Sequence, residues 1–249
     1  MSGPTRLKLL IAYDGRPFRG WQSQSSGDAV QDRIEQALAR ICGEHVVVHG
    51  AGRTDSGVHA LGQVAHIDVP AGRLPLEKWA GAINGHLPRE IRVMKVTRTR
   101  AEFHARFDAR GKIYTYRVWN GAVLPPLELG RAWHLGGELD LPALRSCAAL
   151  LEGSHDFASF SANRGHAPRE TVRTLYSVEI TRRGPLVTLR FRGDGFLYRM
   201  VRLLTGTLLR CAQHRAEPSL ITDLLASCGA AKTSFAAPAE GLYLTRVLY

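Results

Sequence analysis

An α+β fold of two like-built halves is what the sequence predicts, on three observations. Apolar residues alternate at period two in the runs Arg6–Tyr13 and Lys112–Trp119. Capped helical stripes closed by glycine stand between such runs. The order strand, helix, strand, strand, helix, strand then occurs twice, and this is the ferredoxin-like βαββαβ unit. Two such units imply a pseudo-twofold arrangement of antiparallel sheets with helices on one face and a central basic cleft where the halves meet. The boundary is expected near Phe107, with residues 1–106 as the first half and 107–249 as the second.

In the first strand Leu7, Leu9, Ile11 and Tyr13 share a face, and Asp14-Gly15-Arg16-Pro17 ends it. A loop, Phe18-Arg19-Gly20-Trp21-Gln22, mixes aromatic and basic groups. Asp28 is the expected N-cap of the next helix, with Gln31 in capping-box position. Val30, Ile34, Ala37, Leu38 and Ile41 form its buried stripe, and Gly43 stops it. Strands are expected over His45–His49 and Gln63–Val69, then a helix from Leu76 to Ile83 and a strand from Ile91 to Thr97. In the second half, Lys112–Trp119 is a strand and Asp140 caps a helix carrying Leu144, Cys147, Ala148 and Leu151, closed by Gly153. Val172–Arg182 and Leu186–Arg192 form a hairpin about Arg183-Gly184-Pro185. A long helix over Phe196–Ala212, a shorter one over Ser219–Ser227 and a closing strand, Leu242–Leu248, complete the set.

The chain has 249 residues, enough for a full core, and 45% of them are hydrophobic. Its 33 Lys+Arg against 22 Asp+Glu give a net charge of +11. Such a balance points to a polyanion, and nucleic acid is the common one. Arg outnumbers Lys, which suits bidentate phosphate contact and stacking on bases. Four cysteines without a C-x-x-C pair read as a reduced, intracellular protein. No apolar leader follows Met1, and no apolar run reaches the ~18–20 residues of a membrane span. A soluble cytoplasmic protein is therefore expected. The ten histidines form no H-E-x-x-H or comparable motif, so no metal site is expected.

The chemistry-bearing stretch is Gly52-Arg53-Thr54-Asp55-Ser56-Gly57-Val58-His59-Ala60. Asp55 falls at the tip of a connection between two expected strands, where a carboxylate can be presented to a ligand. A plain turn would also use Asp, Ser and Gly here. Arg53 before the Asp and His59 after it are more than a turn requires. On the strand of the second half, Tyr114 and Tyr116 point to one face beside Lys112. Such a pair either offers a stacking platform for bases or packs beneath the other half. On the long helix, Arg199, Arg202 and Gly206 fall on one stripe, opposite Met200, Leu204, Leu208 and Cys211. That stripe either meets a partner closely or is simply solvated. Further basic positions, Arg98 and Arg100, Arg106 and Arg110, Arg164, Arg169 and Arg173, and Arg182 and Arg183, could together line a groove for a phosphate backbone.

With the Asp55 stretch, Phe103-His104-Ala105-Arg106-Phe107, Lys112-Ile113-Tyr114-Thr115-Tyr116 and Phe196-Leu197-Tyr198-Arg199-Met200-Val201-Arg202 in view, the sequence resembles the TruA family of tRNA pseudouridine synthases. Tyr13-Asp14-Gly15, Gly20-Trp21-Gln22 and Glu240-Gly241-Leu242-Tyr243-Leu244 fit as well, so the likeness spans essentially the whole chain. It implies a cofactor-free isomerase that converts uridines of the tRNA anticodon arm to pseudouridine as a homodimer. By the same likeness Asp55 is the catalytic carboxylate, and Tyr114 packs against the target base. Arg53 fills the place of the flipped nucleotide, and Arg202 pairs with Asp55. Tyr116, Lys112, Arg106 and His59 are expected on the RNA-binding side. Ser56 departs from the family's more usual Ala.

Two rivals stand beside this reading. Asp55-Ser56-Gly57 spells the D-[ST]-G of aspartic proteases, but no second copy exists, since Gly193-Asp194-Gly195 lacks the hydroxyl. A non-catalytic RNA-binding protein on the same sheets is the second, and Asp55 alone separates it from an enzyme.

Overall fold

Leu7, Leu9, Ile11 and Tyr13 are all buried along the first strand, as their period-two spacing requires. The structure, a computed structural model, describes residues 4–162 and 170–249, so Arg164 and Arg169 of the expected basic groove lie outside the described residues. In chain order the elements are β1 (Thr5–Tyr13), α1 (Val30–Cys42), β2 (His49–Gly50), β3 (His59–Val69), α2 (Trp79–His86), β4 (Ile91–Arg98), β5 (Gly111–Trp119), β6 (Trp133–His134), α3 (Leu141–Ala149), β7 (Gly153–Asp156), β8 (Val172–Arg183), β9 (Leu186–Gly193), α4 (Met200–Ala212), α5 (Ser219–Ala226) and β10 (Leu242–Leu248). They fall into two compact units, one of Met1–Arg110 with Tyr243–Tyr249 and one of Gly111–Leu242. The closing strand thus counts with the first unit, not with the second half, because Tyr243 and Leu244 pair in parallel with His59 and Ala60 of β3.

In the first unit the strand order is β4-β1-β3-β10. β1 runs antiparallel to both β3 and β4, so its alternate apolar side chains are enclosed from two sides. With β1 on one edge of β3, the other edge takes β10 at His59 and β2 at His66. α1 buries Val30, Ile34, Ala37 and Leu38, and Gly43 ends it with φ 79°. Its start differs from expectation. Ala29 is the N-cap, and Asp32 accepts the Ala29 N–H at 2.9 Å, while Asp28 instead pairs with Arg33. The expected strand His45–His49 shrinks to His49–Gly50. Val46 and Val48 stay buried and Val47 exposed, but the Val48 N–H donates to Glu35 of α1 at 2.9 Å and so joins no ladder.

The second unit orders its strands β5-β9-β8-β7, all antiparallel, with β6 lying parallel beside β5. β8 and β9 form the expected hairpin. α3 starts as expected: Asp140 accepts the Ala143 N–H at 2.9 Å. α3 and α4 pack on each other, and Leu144, Cys147, Leu204 and Leu208 are buried. α4 begins four residues later than its sequence pattern suggests. Arg199 has φ 58°, a left-handed conformation that cannot continue a right-handed helix, so Phe196–Arg199 is a lead-in loop. Both units are α+β. No helix among the described residues is long and apolar enough to cross a membrane.

The Asp140 cap is the simplest local test of this unit. Asp140→Ala should lower stability by ~1 kcal/mol in chemical denaturation, with Asp140→Asn much closer to the parent. Equal losses would show that the side chain's charge, and not its capping bond, carries the effect.

Candidate active site

Asp55 is half-buried and opens a tight turn. The Val58 N–H donates to the Asp55 carbonyl at 3.1 Å, and the only positive φ in the turn is 77° at Gly57. Positive φ at the third position alone defines a type II turn, which wants glycine there. The turn is clamped by the loop that follows β1. The Trp21 N–H donates to the Thr54 carbonyl at 3.0 Å, and the Tyr13 hydroxyl lies 2.8 Å from Thr54 Oγ1 in a buried pair. Ser56 Oγ donates to the Phe18 carbonyl at 3.3 Å, which gives its hydroxyl a place in the clamp.

Two glycines make the clamp possible. A Cβ on Gly20, whose φ is 86°, would stand 2.6 Å from the Thr54 carbonyl oxygen. One on Gly15 would overlap the Val58 carbonyl. Only backbone without side chains approaches a turn this closely. Gly20→Ala should therefore displace the Asp55 turn and reduce turnover more than tenfold, while the folded fraction, read by far-UV circular dichroism, stays near the parent.

Arg53 is exposed, but its direction is set. Its Nε–H donates to Gln22 Oε1 at 3.0 Å, Gln22 Nε2 donates to Gln31 Oε1 at 2.9 Å, and Gln31 Nε2 donates to Glu35 Oε1 at 2.8 Å. Donors all run one way, from the guanidinium to the carboxylate, so each amide orientation is fixed by its neighbours. This explains why Gln31 fails as a capping-box residue: its side chain serves the relay.

His59, expected on the RNA side, is instead a support. It is 3% exposed, its ring stacks on Tyr243 at 4.6 Å, and its Nδ1 accepts the Gly15 N–H at 3.2 Å. Asp14 beside it is held below the usual carboxylate range: burial pulls the other way, but hydrogen bonds from Arg16 outweigh it. Arg106 is exposed with its guanidinium 5.7 Å from the Phe107 ring. It follows Ala105, whose N–H donates to His66. His66 stands seven residues along β3 from His59, roughly 23 Å at 3.3 Å per residue, so Arg106 is not part of the Asp55 turn.

In the second unit, Tyr114 and Tyr116 do share a face of β5, yet they are not alike. Tyr114 is 7% exposed and meets Phe196 edge-on at 5.0 Å. Tyr116, expected beside it on a stacking platform, is fully buried, and its hydroxyl donates to the Pro238 carbonyl at 2.7 Å. A ring without exposed surface cannot receive a base, so Tyr116 is a structural partner. Lys112, half-buried, precedes them on β5. Arg202 is half-buried on α4, and its Nε–H donates to the Ala237 carbonyl at 2.7 Å. The Arg202–Gly206 stripe is therefore not simply solvated: it is covered by the chain's own Phe235–Ala237. Nothing in the sequence spacing connects Ala237 to Arg202.

Motif scanning also missed a group distant in sequence. Among the described residues, His49, His66 and His104 bring one ring nitrogen each within 4.8 Å of one another. The hydrogen bonding runs against a metal. His66 Nδ1 accepts from Ala105 N at 3.1 Å, and His104 Nδ1 accepts from Arg106 N at 3.1 Å. A neutral ring whose Nδ1 accepts carries its proton on Nε2, whereas a metal-bound histidine donates its remaining N–H. The rings pack on each other instead, His49 on His66 at 4.7 Å. Burial first, then the neighbouring His49, Arg6 and His104, lower the His66 pKa to about 4. Its unfolded value is near 6.5. Between these values the unfolded chain binds a proton that the folded chain refuses, so stability is present above pH ~6.5 and falls toward pH 4. His66→Gln should flatten this slope in denaturation series at several pH values.

A family model described as tRNA pseudouridine synthase matches residues 9–108 and 147–249. Proteins called tRNA pseudouridine synthase A are close relatives. That of Akkermansia muciniphila is 42% identical, covering 98% of this chain and 95% of its own. That of Solidesulfovibrio magneticus is 45% identical over 98% and 91%, and that of Geobacillus kaustophilus 43% over 98% and 94%. With the match reaching both units and the whole Asp55 turn, the chain belongs to the tRNA pseudouridine synthase A family.

Proposed function

We infer that this protein is an isomerase that converts uridine to pseudouridine in tRNA, with Asp55 as its nucleophile and the anticodon arm as its target. The observation that carries the reading is Asp55 itself, half-exposed on a glycine-dependent turn within the residues that match the family model. Uridine and pseudouridine are isomers. The C1′–N1 bond breaks, the base turns, a C5–C1′ bond forms and the C5 proton leaves, while N1 gains one. Atoms and electrons balance without an oxidant or a cofactor. What the step needs is a carboxylate as transient covalent or ion-pair partner of the detached fragment.

The target base must first leave its stack, which costs a few kcal/mol. Arg53 fills the vacated place, and its hydrogen-bond relay to Glu35 keeps it directed. By family likeness Tyr114 packs against the flipped base. Family likeness gives Arg202 the role of the cation that orients the Asp55 carboxylate. Lys112 and Arg106, with the excess positive charge, hold the phosphate backbone. Family likeness further suggests a homodimer acting in the cytoplasm.

Asp55→Ala should abolish pseudouridine formation on an unmodified tRNA transcript while tRNA affinity stays within about tenfold, or ~1.4 kcal/mol. Normal turnover by that variant would sink the nucleophile assignment and favour a non-catalytic RNA-binding protein. Tyr114→Phe should be far milder than Tyr114→Ala, which forfeits stacking worth ~1–3 kcal/mol. Complete loss in both would make the phenol an acid or base instead.

A further inference from the structure

We propose that Tyr116 is a positioning residue for the reaction, acting through the Phe235–Pro238 segment to fix the guanidinium of Arg202. The proposal rests on the reading of Arg202 given above. Its geometry lies wholly within the second unit.

Arg202 and Ala237 bond each other twice. The Arg202 Nε–H donates to the Ala237 carbonyl at 2.7 Å, and the Ala237 N–H donates back to the Arg202 carbonyl at 3.0 Å. Both polar groups of Ala237 are thereby spent on one residue, and Ala237 is 1% exposed. An arginine held at Nε has its guanidinium plane set, and with it the direction of both terminal nitrogens. Held only at a terminal nitrogen, it would still rotate.

The segment that holds Arg202 is itself held at three further points. Pro238, the next residue, accepts the Tyr116 hydroxyl at 2.7 Å. Phe235 lies under the Arg210 guanidinium, 3.9 Å from its ring centre. Between these, Gly206 stands one helical turn after Arg202 and leaves the space the Phe235 carbonyl occupies; a Cβ there would collide with it. Arg202, Gly206 and Arg210 are i, i+4 and i+8 on α4, so one face of the helix carries the whole segment. Burial raises the Tyr116 phenol's pKa far above neutrality, so its O–H remains a donor throughout the working range. The Tyr116 hydroxyl ties Pro238, and with it this face of the helix, to β5, and Tyr116→Phe would keep the ring and delete that bond.

The test is single-turnover pseudouridine formation with Tyr116→Phe, Gly206→Ala, Arg202→Lys and the double variant Tyr116→Phe/Arg202→Lys, beside tRNA binding and thermal unfolding of each. Tyr116→Phe is expected to lower the rate about tenfold with tRNA affinity within about twofold, a change of ~1.4 kcal/mol in the barrier alone. The double variant should be no slower than Arg202→Lys, because Tyr116 acts only through the Arg202 fork. Gly206→Ala displaces the same segment from the helix side and should reproduce the rate loss, which decides the matter if Tyr116→Phe unfolds below the assay temperature. Multiplying losses in the double variant, or a parent-like rate in Tyr116→Phe, would overturn the proposal. If Arg202→Lys itself reacts at the parent rate, the role given to Arg202 fails, a different result from failure of the clamp.

Discussion

The placement of Asp55 depends on two side chains that do not exist. Gly15 and Gly20 let the loop after β1 lie directly on the carbonyls of Val58 and Thr54, and the clamp on the turn depends on that approach. Once the backbones touch, Trp21 reaches the Thr54 carbonyl, Ser56 reaches Phe18, and Tyr13 closes on Thr54. The nucleophilic role proposed for Asp55 demands this arrangement more than a binding role would. Attack needs a near-fixed distance and angle, and a misplacement of about 1 Å removes much of the rate. Backbone hydrogen bonds restrict the turn without placing another side chain where the substrate must enter.

Arg53 and Arg202 are oriented by the same device in different surroundings. Each commits its Nε–H, one to the amide of Gln22 and one to the carbonyl of Ala237. The remaining, terminal nitrogens then point in a set direction. For Arg53 the restraint ends at an acid, Glu35, which also caps the stray Val48 N–H. For Arg202 it ends at a phenol buried in the sheet. Long cationic side chains lose considerable rotamer freedom when fixed. Supports of this kind meet that loss during folding and not at the moment of substrate binding.

Much of this was legible in the sequence. Periodicity locates the helices and the longer strands to within a few residues but not β6 or β7, and local chemistry marks the Asp140 cap and the Gly43 stop, whereas Gly153, expected to close α3, opens β7 instead. The failures have a common cause. Local patterns state which faces are apolar but not which backbone groups are claimed from elsewhere. His45–His49 keeps its alternation of buried and exposed valines, yet a glutamate from α1 takes the N–H that a ladder needed. Tyr116 and Tyr114 have identical spacing credentials, yet Tyr116 is fully buried with its hydroxyl on Pro238, whereas Tyr114 keeps 7% exposure beside Phe196. His59 reads as a functional group beside a catalytic acid, whereas the Gly15 N–H and the Tyr243 ring occupy it. In each case the deciding partner is far away along the chain.

The charge balance bears on how such a site is approached. Many acids are already matched internally: Asp68 with Arg6, Asp14 with Arg16, Asp108 with Arg100, Glu128 with Arg117 and Glu179 with Arg190. Even with every acid so matched, +11 remains. An excess of this size repels itself in the folded state and is tolerated where a polyanion neutralises it. It attracts RNA of any sequence, and association by counterion release carries no information about which base is presented. Discrimination must therefore come at the step after encounter, when a base leaves its stack and is presented for reaction. In the roles proposed for Asp55 and Arg53, rigidity is thus a source of selectivity as well as rate: a nucleotide that does not reach the fixed geometry is held by the same phosphates and does not react.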